Sequence, residues 1–197
     1  MARPTGTTRV KKPILKKEYE RLLNATHKSI TIRASTRVKL SNAFTLLYLT
    51  GCRISEIINV SKKDVEMMIL TNEFSLSNNT KTKKPRLVSF DSDGIQTSML
   101  SKIEFLDNGY LFAKNNSDKV MTTAALKFMM NSFIHRVLGP LYSTHSFRTG
   151  YITTAHQLGL SLEHIRQDIG HKSISTTARY ATVTNEEISH GKTLREW

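Results

Sequence analysis

Apolar residues recur at helical spacing over most of the chain. In "ILKKEYERLL", Ile14, Leu15, Tyr19, Leu22 and Leu23 share one face, the pattern of a helix half sunk in a core. "STRVKLSNAFTLLYLTG" continues with a long apolar stretch. It stops at Gly51, a residue suited to closing a helix. "RISEIINV" opens a short helix, and Ser61 and Asp64 in "SKKDV" read as turn or cap residues. The period then changes. "NEFSLSN" alternates Phe74 and Leu76 with polar neighbours and predicts a strand, "PRLVSF" predicts a second, and the polar basic loop "NTKTKK" lies between them. "GYLFAK" predicts a third short strand. From Thr122 the chain is helical again: "TTAALKFMMNSFIHRVLGP" has apolar residues at 125, 126, 129, 130, 133, 134 and 137 and ends at Gly139-Pro140. Three shorter helices follow, Ser146 to Leu158, Ser161 to Asp168 and Ser173 to Ala181, and the tail "TNEEISHGKTLREW" could form one more. There are no repeats. The fold class is mainly α with a small antiparallel β-sheet, an α+β domain.

Charge narrows the choice of partner. The chain has 197 residues, of which 39% are hydrophobic, enough for one core. It carries a net charge of +13, which attracts polyanions, nucleic acid first among them. A charged membrane surface is the alternative, but the sequence has no long apolar run and no basic amphipathic helix with a wide apolar face. Residues 1–40 hold eleven Lys or Arg against Glu18 and Glu20. Residues 1–12 read as a flexible basic arm, with a solvated leader that binds nothing as the alternative. Cys52 is the single cysteine, so there is no internal disulfide and no cysteine zinc site. Among the seven histidines, His164 and His171 are the only loose pair, which argues against a metal site. "MARPTGTTRV" has no apolar core of a secretory signal, so a cytoplasmic location is expected.

Several polar residues stand where burial is expected. Arg53 follows "LYLTGC" directly, and a buried arginine needs an anionic partner. A phosphate and a structural ion pair with Glu56, three residues on, are equally good readings. His145 and Arg148 are spaced three apart and share a helix face, where arginine can grip a phosphate with two donors and histidine can move a proton. An ordinary surface pair has the same spacing. Gly170 ends a helix and turns His171 inward, and Tyr180 follows nine residues later. Each is bland by itself. Together, two arginines, two histidines, a loop lysine and a tyrosine make a set for phosphoryl transfer without a metal. A phenol with a pKa of about 10 needs a base or a strong positive field to attack. Arginines can stabilise the charge of the transition state, and a lysine can protonate a leaving alkoxide.

In these segments the chain resembles the catalytic domain of tyrosine site-specific recombinases, the phage integrase family, from about Leu15 to about Tyr180. "LTGCRISEI" is similar to the segment of the first catalytic arginine, implying Arg53. "THSFRTGY" resembles the His-x-x-Arg box, implying His145 and Arg148. "IGHKSISTTARY" resembles the last box, implying His171 and the nucleophile Tyr180. Thr176 and Thr177, one turn before Tyr180, are read as supporting its helix. "KTKKPRLVSF" resembles the family hairpin, whose lysine falls on Lys81, with Lys83 as the alternative. Thr149 and Ala181-Thr182 depart from the commoner His and Thr-His.

The resemblance implies a mainly helical domain over 13–182 that works without cofactor or metal. Tyr180 would cut DNA through a 3′-phosphotyrosine, with Arg53 and Arg148 on the phosphate and Lys81 as general acid. His145 would be the base or a proton relay, and His171 a donor to the phosphate. Expected DNA contacts are Lys11 and Lys12 in the arm, Lys83, Lys84 and Arg86 on the hairpin, and Lys172 and Arg179 near the last box. The implied partners are double-stranded DNA, a tetramer of the chain on two DNA sites, and accessory DNA-bending proteins, in a bacterial, archaeal or mobile-element setting. Residues 183–197 would dock on a neighbouring copy or pack on their own domain. No N-terminal core-binding domain is expected, whether by truncation or as in the small fimbrial phase-variation invertases. Modest affinity with a steep salt dependence should follow. Two rival functions are a type IB topoisomerase-like or hairpin-forming strand transferase, and a catalytically silent DNA-binding regulator.

Overall fold

The computed structural model describes residues 11–76, 86–90, 94–105, 109–114, 117 and 119–178. The chain forms two compact units, residues 1–151 and 152–197, with the boundary inside one helix.

In the first unit, α1 (Lys16–Lys28) buries Tyr19, Leu22 and Thr26, spaced three and four apart. The Glu18 carboxylate reaches back to the Leu15 N–H at 3.2 Å and caps the helix start. α2 (Ala34–Thr50) is buried nearly all round, through Leu40, Ala43, Phe44, Leu46, Leu47 and Leu49, so it is the central helix rather than an amphipathic one. Tyr19 stacks on Tyr48 at 4.1 Å and hydrogen-bonds Thr45, joining α1 to α2. α3 (Ile54–Ile57) follows at once. α4 (Lys62–Thr71) opens on a reciprocal cap: the Ser61 N–H donates to Asp64 Oδ2 at 2.7 Å, and the Asp64 N–H to Ser61 Oγ at 3.3 Å.

β1 (Glu73–Leu76) pairs antiparallel with β2 (Arg86–Ser89), Phe74 opposite Val88 and Leu76 opposite Arg86. Phe74, Leu76 and Val88 point into the core. The third strand expected at "GYLFAK" does not form. Ser61 bridges Tyr110 and Ala113 bridges Val120, one residue each. Leu111, Phe112 and Ala113 are buried in succession, so the segment lacks the alternation of a strand with one wet face. α5 (Ile95–Leu100) precedes it. α6 (Thr123–Leu138) is capped by Thr122 Oγ1, which accepts from the Ala125 N–H, and buries Leu126, Met130, Phe133 and Ile134. α7 (His145–Gln157) starts in this unit. Phe44 packs on Phe147 at 5.7 Å and on Phe133 at 6.0 Å, so the rings of α2, α6 and α7 meet in the core.

In the second unit, α8 (Leu162–Ile169) is capped by Ser161 Oγ and buries Ile165 and Ile169. Gly170, at φ 66, closes it in the left-handed conformation, and α9 (Ile174–Ala178) follows. The mainly α fold with a two-stranded antiparallel sheet is the class expected from the sequence. Among the described residues, no helix is long and apolar enough to cross a membrane.

Candidate active site

Gly51 shapes the first wall of the site. It ends α2 at φ 58, and a Cβ there would lie 2.7 Å from Tyr151 Cγ, so no other side chain fits. Its carbonyl accepts from Arg148 Nη1 at 2.9 Å. Two residues later the backbone is extended, and Arg53 stands at the N-terminus of α3. The Arg53 N–H donates to Glu56 Oε2 at 2.7 Å, and its Nη1 to Oε1 at 2.8 Å.

The ion pair weighed against a phosphate at Arg53 is thus present, and Arg53 does not have Glu56 to itself. Glu56 also accepts from Arg86 Nη2 at 3.1 Å, and Arg148 feels the fields of both Arg53 and Arg86. Among the described residues, the Glu56 carboxylate is the one set against these three guanidiniums. Arg148 is 2% exposed. Burial, then the charges of Arg53 and Arg86, lower its pKa to about 10, well above neutral pH, so it remains a cation. A buried cationic cluster of this kind is built for an anion.

A cleft of about 610 Å³ opens beside these groups, and Arg53, His145 and Arg148 line it. The shared helix face expected for His145 and Arg148 is observed on α7. Asn131 Oδ1 accepts from the Thr144 N–H at 2.8 Å and fixes the chain just ahead of His145. The His145 ring is exposed on the cleft wall, and its pKa is lowered by partial removal from water, then by Arg148, Arg53 and Lys127. The three cations act in one direction, so the ring is neutral at neutral pH and able to take a proton.

The opposite wall comes from α6. Thr123, Lys127, Asn131 and His135 all line the cleft and are four residues apart. Sequence reasoning used only the apolar positions of this helix and missed that polar stripe, although the spacing was there to be read. Lys11 also lines the cleft, its Nζ donating to Pro140 O at 2.9 Å, while Lys12 is exposed. Arg86, expected on DNA, is turned inward: its side chain is 7% exposed and its guanidinium holds Glu56. The cause is strand alternation, because Arg86 shares the inward face of β2 with Val88.

The second unit holds His171, 8% exposed, with Nδ1 3.0 Å from Thr177 Oγ1. Thr177 is fully buried and orients the ring, so it supports the histidine as well as its own helix. Arg166 braces the same turn. It grips Glu163 with two donors at 2.6 and 2.7 Å and donates to the His171 carbonyl at 2.9 Å. Lys172 is exposed. Lys81, Lys83, Lys84, Arg179 and Tyr180 lie outside the described residues, as does the tail 183–197.

The Phage integrase family model matches residues 12–187, and the chain belongs to that family. The tyrosine recombinase XerC of Staphylococcus aureus (strain USA300 / TCH1516) is 24% identical over 176 residues, which are 86% of this chain and 57% of that relative's length. Among solved structures, XerA recombinase superposes with a TM-score of 0.67 at 18% identity, covering 100% of this chain and 68% of that one. The Tn1549 transposon integrase, in complex with a circular intermediate DNA, gives a TM-score of 0.68 at 16% identity, covering 98% and 68%. These likenesses establish the fold.

Proposed function

We propose that this chain is the catalytic part of a site-specific DNA recombinase, with residues 13–182 as the catalytic domain. The observation that carries the reading is the cleft that Arg53, His145 and Arg148 line together, two guanidiniums beside an imidazole whose pKa is lowered. Such a site offers fixed donors to a phosphate and a base next to them.

In this reading Tyr180 Oη attacks the scissile phosphorus and His145 takes its proton. The P–O5′ bond breaks, Lys81 protonates the departing oxygen, and a 3′-phosphotyrosine and a 5′-hydroxyl result. Arg53 and Arg148 hold the non-bridging oxygens, and His171 donates to the same phosphate. A 5′-hydroxyl from a partner strand reverses the step, so the phosphodiester energy is kept and no nucleotide is consumed. Lys11 and the α6 stripe of Lys127, Asn131 and His135 would carry the flanking backbone, with Lys12, Lys83, Lys84, Lys172 and Arg179 as further contacts. The acting form is a tetramer on two DNA sites, assisted by DNA-bending proteins, with 183–197 docked on a neighbour. The setting is the cytoplasm of a cell that carries the mobile element.

The test is a pool of nicked duplexes with a randomised central segment, in which the nick lets the short 5′-hydroxyl strand diffuse away. Wild type should accumulate a covalent protein–DNA adduct, and Tyr180→Phe none. An adduct with Tyr180→Phe, or none with wild type across the pool, overturns the reading. Mixing two labelled duplexes recovered from the pool should then give recombinant joints.

A further inference from the structure

We infer that Arg86 is a positioning residue for the phosphate site, acting through Glu56 on Arg53. This rests on the recombinase reading above. Arg86 touches the chain on both sides of Arg53. Its Nη2 donates to Glu56 Oε2 at 3.1 Å and to Cys52 Sγ at 3.2 Å, Cys52 being the residue just before Arg53. The Glu56 side chain is 1% exposed, and its two oxygens are divided among the Arg53 backbone N–H, the Arg53 guanidinium and Arg86. A buried carboxylate with a single flexible cation could rotate; a second, fixed cation pins it. Arg86 is fixed because it opens β2 opposite Leu76, with its side chain on the inward face. Its side chain is 7% exposed and is held by Glu56, so its action on Arg53 runs through that carboxylate.

The arrangement also ties two parts of the chemistry together. Arg86 is five residues after Lys81 in the sequence and is the first residue of β2. The same guanidinium that steadies Arg53 therefore anchors the first residue of β2, the strand that follows Lys81 in the sequence. Both contacts come from the one nitrogen Nη2, which the rigid guanidinium plane holds in place; an ammonium on a flexible stem keeps the charge but positions it less firmly.

The experiment uses a nicked duplex recovered from the pool, made in two forms: one with the ordinary scissile phosphate, the other with a methylphosphonate there. The second form lacks one non-bridging negative charge and so depends less on a well-placed Arg53. Arg86→Met should slow adduct formation on the phosphate by about 10- to 100-fold, the usual cost of losing a group that orients a contacting residue. On the methylphosphonate the loss should be roughly tenfold smaller, because the interaction being disturbed is with the missing charge. A role confined to stability would slow both forms equally. Arg86→Lys should lie between wild type and Arg86→Met, with the same substrate dependence. It serves as the test if the methionine variant does not fold. Equal losses on the two substrates, or no loss at all, overturn the inference. If the pool yields no duplex on which wild type forms an adduct, the recombinase reading fails and takes this inference with it. If wild type reacts and Arg86→Met reacts equally well, only the inference fails.

Discussion

Gly150→Ala sets helix propensity against tertiary packing, and the two predict opposite signs. Gly150 lies inside α7, where replacing glycine by alanine normally stabilises by about 1 kcal/mol. Here a Cβ would overlap the Ile14 carbonyl oxygen and lie 2.8 Å from its carbon. Both are backbone atoms, so no side chain can swing aside. Residues 11–14 cross the start of α7, held by Ile14 N–H to Ser146 O at 3.0 Å and Lys12 N–H to Leu141 O at 3.1 Å. Lifting the segment would lose both bonds, about 1 kcal/mol each. It would also expose Ile14, now 1% exposed, at a cost of about 2 kcal/mol. Keeping the segment in place would instead cost about 1–3 kcal/mol of overpacking. Direct overlap with a backbone oxygen puts the overpacking at the upper end of that range, so against the gain in propensity the net expectation is a loss of about 2 kcal/mol, or roughly 4–8 °C in Tm for a chain of this size. Thermal unfolding followed by circular dichroism measures it. A Tm equal to or above that of wild type would refute the claim that the close approach of Ile14, rather than chance, accounts for glycine here.

Three further outcomes follow from the site. Because His145 must be neutral to act as base and its pKa is lowered, adduct formation should fall on acidification only below the ordinary histidine value of about 6.5. Lys127→Met removes one of the charges holding that value down, so the limb should move to higher pH; a limb unmoved or shifted lower in the pH–rate profile contradicts the assignment. Thr177→Val removes the Nδ1 partner of His171 and should slow adduct formation about tenfold, while Thr177→Ser stays near wild type in the same assay. Burial, opposed by Arg86, pushes the Cys52 thiol up to about 11, so an aromatic disulfide reagent at pH 8 should label it only after denaturant is added. Rapid labelling of the native chain would show that the segment around Arg53 opens.

Much of the fold can be read along the chain because its signals are local. The three-and-four spacing of α1 and α6, the glycine stops at Gly51 and Gly170 and the alternation of β1 each depend on residues within a turn or two. α4 and α5 were harder, since several of their apolar residues are exposed, among them Met67, Leu70 and Ile95, so their spacing marks no single buried face. At the site, the His145 and Arg148 pair was legible because both lie on one helix. For Arg86 the chain shows basicity, which suggested a DNA contact, but not that its side chain turns inward to Glu56.

By itself, then, the sequence determined the helix and strand pattern, the positive charge and the ordered set of residues that marks the family. Only the tertiary structure decided that Glu56 is shared by Arg53 and Arg86, that α6 lends Lys127, Asn131 and His135 to the cleft, and that Gly150 must admit the Ile14 carbonyl. The reason is physical: periodicity and capping act between neighbours in the chain. Which charges share a carboxylate, and which backbones touch, is settled by how elements 30 to 130 residues apart pack against one another.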